Sequence, residues 1–271
     1  MRTGAGYRAL ADDLDIQRRA IVETVAKADP TGALDLLWRF MGLALSVFER
    51  CDDGSGTVIG IFHEACRDLG EVALKAGAEP VTLADRGFEA LIANHYGQYY
   101  ELIRVLAPAL GQPGLERLKH RMIDLSNRTV TKPPEKDRVT VGWSSSGAIY
   151  ADEMEERSRL STVRLALSEI ADALGDVDAF MAQYEENVRK VPNIAAQIAR
   201  RLLSAGRIEE AWETIEATEY RRRNGRWDWP DFEWEDARID VLEALGRAND
   251  ARLRAGSALN SRCRRSICGP I

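Results

Sequence analysis

A cluster of tryptophan and arginine side chains is the leading candidate for a binding site in this 271-residue sequence. Three of the six tryptophans fall within eight residues, next to four arginines. Both residue types are enriched at binding hot spots, and they can hold an acidic peptide or stack on a flat ligand. The alternative is that the rings fill a gap between two helical hairpins while the arginines face solvent. We name this cluster the Arg/Trp segment; its members are Arg221, Arg222, Arg223, Arg226, Trp227, Trp229 and Trp234.

A zinc site is the first metal centre to consider. His63 and Cys66 are spaced to share one helix face, and Cys51 lies nearby in the sequence. A structural zinc ion needs four ligands with recognisable spacing, and the other close pair is Cys263 with Cys268 in the C-terminal tail. We therefore expect no metal and no cofactor, with Cys66 as a small core residue.

A calcium loop is the second metal centre to consider. Asp53, Ser55, Thr57 and Glu64 fall at positions one, three, five and twelve of an EF-hand pattern. Val58, however, stands where the sharp turn of that loop requires glycine. A plain helix start, with Ser55 or Thr57 as N-cap, is the favoured interpretation.

A serine nucleophile fits the sequence poorly. Ser144–Ser146 lacks the last glycine of a nucleophile elbow, and His63, His95 and His120 all precede it, whereas that hydrolase class places its histidine after the serine. No catalytic constellation emerges, so an enzyme is the less favoured class.

Composition and charge indicate a globular chain of the cytoplasm. Apolar residues make up 45% and charged residues 30%, and the net charge of -6 disfavours nucleic acid as a partner. The charged first thirty residues leave no room for a signal peptide, and the longest uncharged apolar run, Phe40–Phe48, is too short for a membrane span. The four scattered cysteines are typical of reduced thiols.

Apolar residues at intervals of three and four predict an N-terminal helical bundle over residues 1–130. Asp29 and Pro30 form a start signal, and Thr82 is a predicted N-cap. The predicted helices run through Tyr7–Ala28, Leu34–Phe48, Val58–Ala76, Thr82–Ile92, Tyr99–Leu106 and Leu115–Leu125, with the second of them central.

Residues 131–150 read as a linker or long loop that contains two prolines and a serine-rich stretch. Val139, Val141 and Trp143 alternate with polar or small residues there, which indicates a short strand.

A repeat organises the rest of the chain. Gly206–Ala211 (GRIEEA) recurs forty residues later as Gly246–Ala251 (GRANDA), and Gly175–Ala179 is a degenerate copy. Each glycine is expected to end one helix in the left-handed conformation, ahead of acidic residues in the next first turn. This pattern predicts tetratricopeptide-like helical hairpins over 151–256 in a short α-solenoid, followed by an irregular basic tail at 257–271.

Two stretches, Leu36–Gly70 and Trp229–Asp250, resemble a bacterial family named domain of unknown function 6880. The spacing between them and the hairpin around Gly206 fit as well, so the resemblance covers about 250 residues. It implies a helical-repeat protein without an assigned catalytic residue or ligand.

The chain departs from that family after Asp250. Arg252–Ile271 contains five arginines, no acidic residue and no helical periodicity, which is typical of a truncated or frame-shifted end. A last hairpin without its cap would expose an apolar face and favour self-association.

Together these patterns predict an all-α protein of antiparallel helical hairpins. The expected function is a non-enzymatic scaffold that binds a protein or peptide. One alternative is an enzyme or small-molecule binder with a site between the helical halves, at His95, Tyr96, Tyr99 and His120. A second alternative is weak nucleic-acid contact through the arginines of the Arg/Trp segment and the basic tail.

Overall fold

A computed structural model describes residues 4–129, 132–145, 147–218 and 232–247 of the chain. It is all-α apart from one β-hairpin, which confirms the predicted fold class. The helices are α1 Gly4–Arg19, α2 Ala26–Ala28, α3 Pro30–Gly42, α4 Ala44–Phe48, α5 Thr57–Lys75, α6 Pro80–Ile92, α7 Leu102–Ser126, α8 Ala151–Leu174, α9 Val177–Met181, α10 Glu186–Arg189, α11 Pro192–Ser204, α12 Ile208–Glu216 and α13 Phe232–Ala244. A π-helical turn, Ala20–Val25, joins α1 to α2.

The chain divides into two compact units, Met1–Leu174 and Gly175–Ile271. In the N-terminal unit α5 packs against α1, α3 and α7, and α7 packs in turn against α6 and α8. Each helix of this unit buries its apolar face in the core. Apolar residues at intervals of three and four form that face. The largest fully buried side chains of this unit are Leu37, Met41, Phe62, Leu69, Leu102, Ile103, Leu106, Leu110, Leu118, Met122 and Ile170.

Among the described residues three prolines, Pro30, Pro80 and Pro192, mark helix starts, as expected from their fixed φ and missing N–H. The Asp29 carboxylate accepts a hydrogen bond from the Gly32 N–H at 2.9 Å and caps α3, as predicted. The cap of α6 differs from the prediction. Glu79, not Thr82, accepts the free N–H groups, including that of Thr82 at 2.6 Å.

α7 is bent in the middle. Gly111 has φ of 54°, and Pro108 and Pro113 lie on either side of it inside the helix. Proline removes one intrahelical hydrogen bond, and its ring crowds the preceding turn, so the two prolines account for the bend. Gly111 is not helical, so α7 consists of two helical arms on either side of it, and these arms correspond to the two helices predicted here.

Pro30–Phe48, a 19-residue segment that spans α3 and α4, is apolar enough to meet the length and composition test for a membrane span, with a mean hydropathy of 1.3 over an 18-residue window. Leu37 and Met41 on this segment are fully buried, while Leu43 and Leu45 on its other side are exposed. The segment therefore has one covered face, and it is less enclosed than a central helix.

Residues 140–150 form an antiparallel hairpin of β1 Thr140–Ser144 and β2 Gly147–Tyr150 within the predicted linker. The register slips between Thr140 and Gly142, so Val141 is the extra residue of a β-bulge. The strand expected from the alternation is thus present.

The division between the units falls later than the predicted boundary at residue 150. α8 packs along α7, and its buried Val163, Ala166 and Ile170 join the core of the N-terminal unit. The apolar face of this helix therefore packs on the bundle of the N-terminal unit.

The C-terminal unit contains α9 to α13, with α11 packed against both α12 and α13. The repeat glycines Gly175, Gly206 and Gly246 have φ of 68°, 75° and 74°, as the repeat predicts. After α11 the Arg207 N–H bonds the Leu202 carbonyl at 2.8 Å, and the same bond follows α13. These are Schellman caps, which require the left-handed conformation that glycine adopts without strain.

Candidate functional site

The Arg/Trp segment falls mostly outside the described residues. Six of its seven members are not among the described residues, so their role stays a prediction: Arg221, Arg222, Arg223, Arg226, Trp227 and Trp229. Trp234 is described, and it lies inside the C-terminal unit with 4% of its surface exposed. Its indole N–H donates to Thr218 Oγ1 at 3.0 Å, and the Arg238 guanidinium lies 5.2 Å from its ring centre. Trp234 therefore packs as a core residue, as in the alternative interpretation of the segment.

The four residues of the alternative small-molecule site make separate contacts. Tyr99 is buried against Trp38, and burial raises the pKa of Tyr99 to about 12. The Tyr96 ring stacks on Phe48 with 4.9 Å between centroids. His120 Nδ1 lies 2.7 Å from the Glu116 carbonyl of its own helix. Two clefts are described below, and their lining includes neither these three residues nor His95.

His63 and Cys66 occupy one face of α5 but serve the fold. His63 Nε2 lies 3.0 Å from the Gly97 carbonyl, and the Cys66 thiol donates to the Tyr100 carbonyl at 3.4 Å. Burial raises the pKa of Cys66 to about 12, which keeps the sulfur protonated and unreactive at neutral pH. Both side chains hold the turn that leads into α7.

The loop before α5 is a helix cap built on Asp53. Its carboxylate accepts hydrogen bonds from the backbone N–H groups of Val58 at 3.1 Å and Ile59 at 2.7 Å, and from the Tyr7 hydroxyl. Burial alone would raise the pKa of Asp53, but these three donors outweigh it and hold the pKa below its ordinary value. Of the predicted caps, Ser55 accepts the Thr57 N–H through its hydroxyl at 3.4 Å, and the two hydroxyl groups lie 2.9 Å apart.

Replacing Asp53 with alanine should destabilise the protein by about 1 kcal/mol, the usual cost of losing a helix cap. Because the folded-state pKa of Asp53 is lowered, the stabilisation is present above pH 4 and is lost as the pH falls through that pKa. Urea unfolding at pH 7 and at pH 3 measures both effects. Asp52→Ala, at an exposed neighbour, is the control; equal losses in the two variants would refute the cap.

A surface patch of large apolar side chains lies on the hairpin. Val139, Val141 and Trp143 are 64%, 57% and 79% exposed. We call these three residues the hairpin patch. Water-exposed valine and tryptophan at alternate positions are costly to hydrate, and neighbouring apolar residues of this kind are typical of interaction surfaces.

Arg138 anchors the hairpin to the start of α8. Its guanidinium makes two parallel hydrogen bonds to the Asp152 carboxylate, at 3.1 and 3.0 Å, and a third to Glu153 at 2.7 Å. The guanidinium carbon also lies 3.7 Å from the centre of the Tyr150 ring. The two acidic partners raise the pKa of Arg138 further above its ordinary value. A two-stranded hairpin is marginal alone, so this anchor presents the hairpin patch on a fixed base.

A groove of about 730 Å³ follows α8 from the foot of the hairpin. We call it the basic groove, because three cations without an ion-pair partner in the described residues line it: Lys132, Arg157 and Arg164. Its other lining residues are Asp152, Glu153, Glu156, Leu160 and Ser161.

A second cleft, of about 600 Å³, lies between the start of α7 and the end of α8. Glu169 lines it with Glu101, Arg104 and Asp172, beside the exposed Tyr100 ring. Burial raises the pKa of Glu169, and the charges of Asp172 and Glu101 add to that effect. The ionised form of the Glu169 carboxyl is therefore destabilised in the folded protein.

Glu169→Gln should stabilise the protein at pH 7 by up to about 1 kcal/mol, because an ionised carboxyl with a raised pKa opposes folding there. The gain should shrink as the pH falls through the raised pKa, where the native glutamate binds its proton. Thermal unfolding from pH 4 to pH 8 tests this, with Glu71→Gln on the exposed face of α5 as the control. A gain independent of pH would contradict the electrostatic cause.

The structure and the sequence patterns now define the class: an all-α protein of two helical units with one hairpin. The pattern of DUF6880, a family of unknown function, matches residues 4–258, so the chain belongs to that family. No curated protein and no solved structure matches the chain.

Sequence patterns did not single out the surface features of the N-terminal unit. The alternation at Val139, Val141 and Trp143 indicated a strand, but it did not show that both sides of that strand face solvent. The basic groove joins a residue before the hairpin to residues along α8, and such a grouping becomes visible only when the chain is folded.

Proposed function

We propose that this protein is a non-enzymatic scaffold that binds another protein chain through the hairpin patch. The observation that carries the proposal is Trp143, which is 79% exposed near the turn of an anchored β-hairpin. Tryptophan at a protein surface offers a large area of contact at a low cost in conformational entropy, and it dominates many binding hot spots.

Energetics support a recognition role for this side chain. Covering the Trp143 ring and the two valines removes several apolar groups from water, each contributing about 1 kcal/mol or more. The bulge at Val141 and the anchoring contacts of Arg138 already fix the hairpin, so little further conformational entropy is lost when a partner binds. A patch that is already ordered binds with a smaller entropic penalty.

The proposal extends to the C-terminal unit. We infer that α11, α12 and α13 are tetratricopeptide-like repeats of a short α-solenoid, since Gly206 and Gly246 end two of them with the same cap and small Ala211 is buried between helices. The members of the Arg/Trp segment other than the buried Trp234 then supply a second contact to the same or another partner. The location that fits this role is the cytoplasm.

Site-specific photo-crosslinking in the native host tests the hairpin patch. A photoreactive amino acid is placed at Val141 of the full-length chain, and the adducts are identified by mass spectrometry. We expect one dominant protein adduct, which disappears when Trp143→Ser is added because the main apolar contact is lost.

The matched control is the same photoreactive residue at Ile16, an exposed apolar position on α1 with 63% of its surface accessible. The proposal predicts that the dominant adduct is absent there. The same adducts from both positions, or an adduct from Val141 that is indifferent to Trp143→Ser, would refute the hairpin patch as the binding surface.

A further inference from the structure

We infer that the basic groove binds an acidic segment of the partner that covers the hairpin patch. This inference rests on the proposed scaffold function and adds the chemistry of the partner. The occupant is a peptide segment in which glutamate or aspartate alternates with apolar residues.

The groove follows one face of α8. Glu153, Arg157, Leu160 and Arg164 are spaced by four, three and four residues, so they lie along the same side of the helix. Lys132 adds a cation from the chain segment that precedes the hairpin. The groove therefore starts at the foot of the hairpin and continues for about three turns of helix.

The acidic side chains of the groove are already neutralised. Arg138 binds Asp152 and Glu153, and Arg159 binds Glu156 at 2.7 Å. The Arg138 contact lowers the pKa of Asp152, and the Arg159 contact lowers the pKa of Glu156, so both carboxylates stay ionised and paired.

The cations of the groove are not neutralised in the same way. Lys132, Arg157 and Arg164 form no ion pair within the described part of the chain. Counting Arg138 and Arg159, the groove has five basic groups against three carboxylates, on a chain whose net charge is -6. This local excess of positive charge complements an acidic ligand.

The apolar surface selects a peptide over a nucleic acid. Leu160 lines the groove and is exposed, and the hairpin that carries the hairpin patch joins α8 where the groove begins. A phosphate backbone would offer no apolar group to cover these residues. An acidic peptide with apolar side chains satisfies both kinds of surface.

Two synthetic 14-residue peptides provide the test. They share leucine and tryptophan at the same positions and carry either glutamate or lysine at all others. Binding to the full-length protein is measured by fluorescence anisotropy and located by NMR shifts of the labelled protein. We expect the acidic peptide to bind about tenfold more tightly than the basic one, with shifts at residues 139–164 and a clear weakening at high salt.

The variant Arg157→Gln/Arg164→Gln should remove most of the preference for the acidic peptide. Arg8→Gln/Lys27→Gln, which removes the same charge from exposed positions on α1 and α2, should keep it. Equal binding of the two peptides, shifts outside the groove, no binding of the acidic peptide, or tighter binding of a single-stranded RNA 14-mer would each overturn the inference.

Failure of the inference and failure of the scaffold proposal are distinguishable. If both peptides bind equally and Trp143→Ser weakens both, the hairpin patch stands and the acidic preference is wrong. If Trp143→Ser leaves the acidic peptide unaffected and the photo-crosslink is absent, the scaffold proposal itself is wrong.

Discussion

Gly70→Ala should destabilise the N-terminal unit by about 3 kcal/mol, the upper range for overpacking a core. Gly70 lies on α5 where that helix crosses α7. A β-carbon at this position would stand 2.3 Å from the Val105 carbonyl oxygen and 2.8 Å from its carbon. Since both are backbone atoms of a packed helix, relief requires the helices to move apart. Urea unfolding followed by circular dichroism measures the loss.

Gly60→Ala is the matched control on the same helix. A β-carbon there meets no atom of the described residues within 4 Å, so alanine should stabilise the helix by about 0.5 to 1 kcal/mol through its lower entropy cost. A similar effect of the two substitutions would show that α5 and α7 are not in close contact at Gly70.

Arg18→Met should destabilise the protein by about 2 kcal/mol at pH 7, because it leaves the half-buried Asp68 carboxylate without its cation. Arg18 on α1 donates to Asp68 on α5 at 2.7 Å, and both side chains are 16% exposed. Burial raises the pKa of Asp68, and the Arg18 guanidinium offsets part of that effect. The loss should narrow as the pH falls through the raised pKa, because folding then favours the protonated carboxyl. Thermal unfolding over pH 3 to 8 is the measurement.

Two variants isolate the cause of that loss. Arg19→Met, at the exposed next position, should have a much smaller effect because Arg19 pairs only with Asp15 among the described residues. Arg18→Met/Asp68→Asn should recover part of the lost stability, since no charge is then left buried. A deficit that is unchanged at low pH and in the double variant would contradict the ion-pair account.

Local chemistry could be predicted where neighbouring residues decide the structure. Asp29 followed by Pro30 gave a helix start, and the glycines at 175, 206 and 246 gave left-handed helix ends, because each effect depends on one side chain and one backbone angle. The all-α class followed from apolar intervals of three and four.

Features that depend on competition between similar residues were less predictable. Glu79 reaches the N–H groups that Thr82 was expected to cap, since Pro80 fixes the helix start one residue after Glu79. α8 looked like the first repeat of the C-terminal half, yet its apolar seam packs on α7. Sequence alone shows that a seam needs a partner without showing which one.

The candidate sites show the same limit. The Arg/Trp segment was visible as a concentration of residue types, but burial of Trp234 depends on the helices around it. The hairpin patch and the basic groove combine residues from three segments, and their charge balance depends on which arginines are already paired.

The scaffold account depends most directly on the contribution of Trp143 to binding. Isothermal titration of the photo-captured partner, purified, against the wild-type chain, Trp143→Ser and Ile16→Ser measures that contribution. We predict a loss of affinity of at least about tenfold for Trp143→Ser, with a less negative heat-capacity change, and near wild-type affinity for Ile16→Ser. Unchanged affinity and heat capacity in Trp143→Ser would contradict the account.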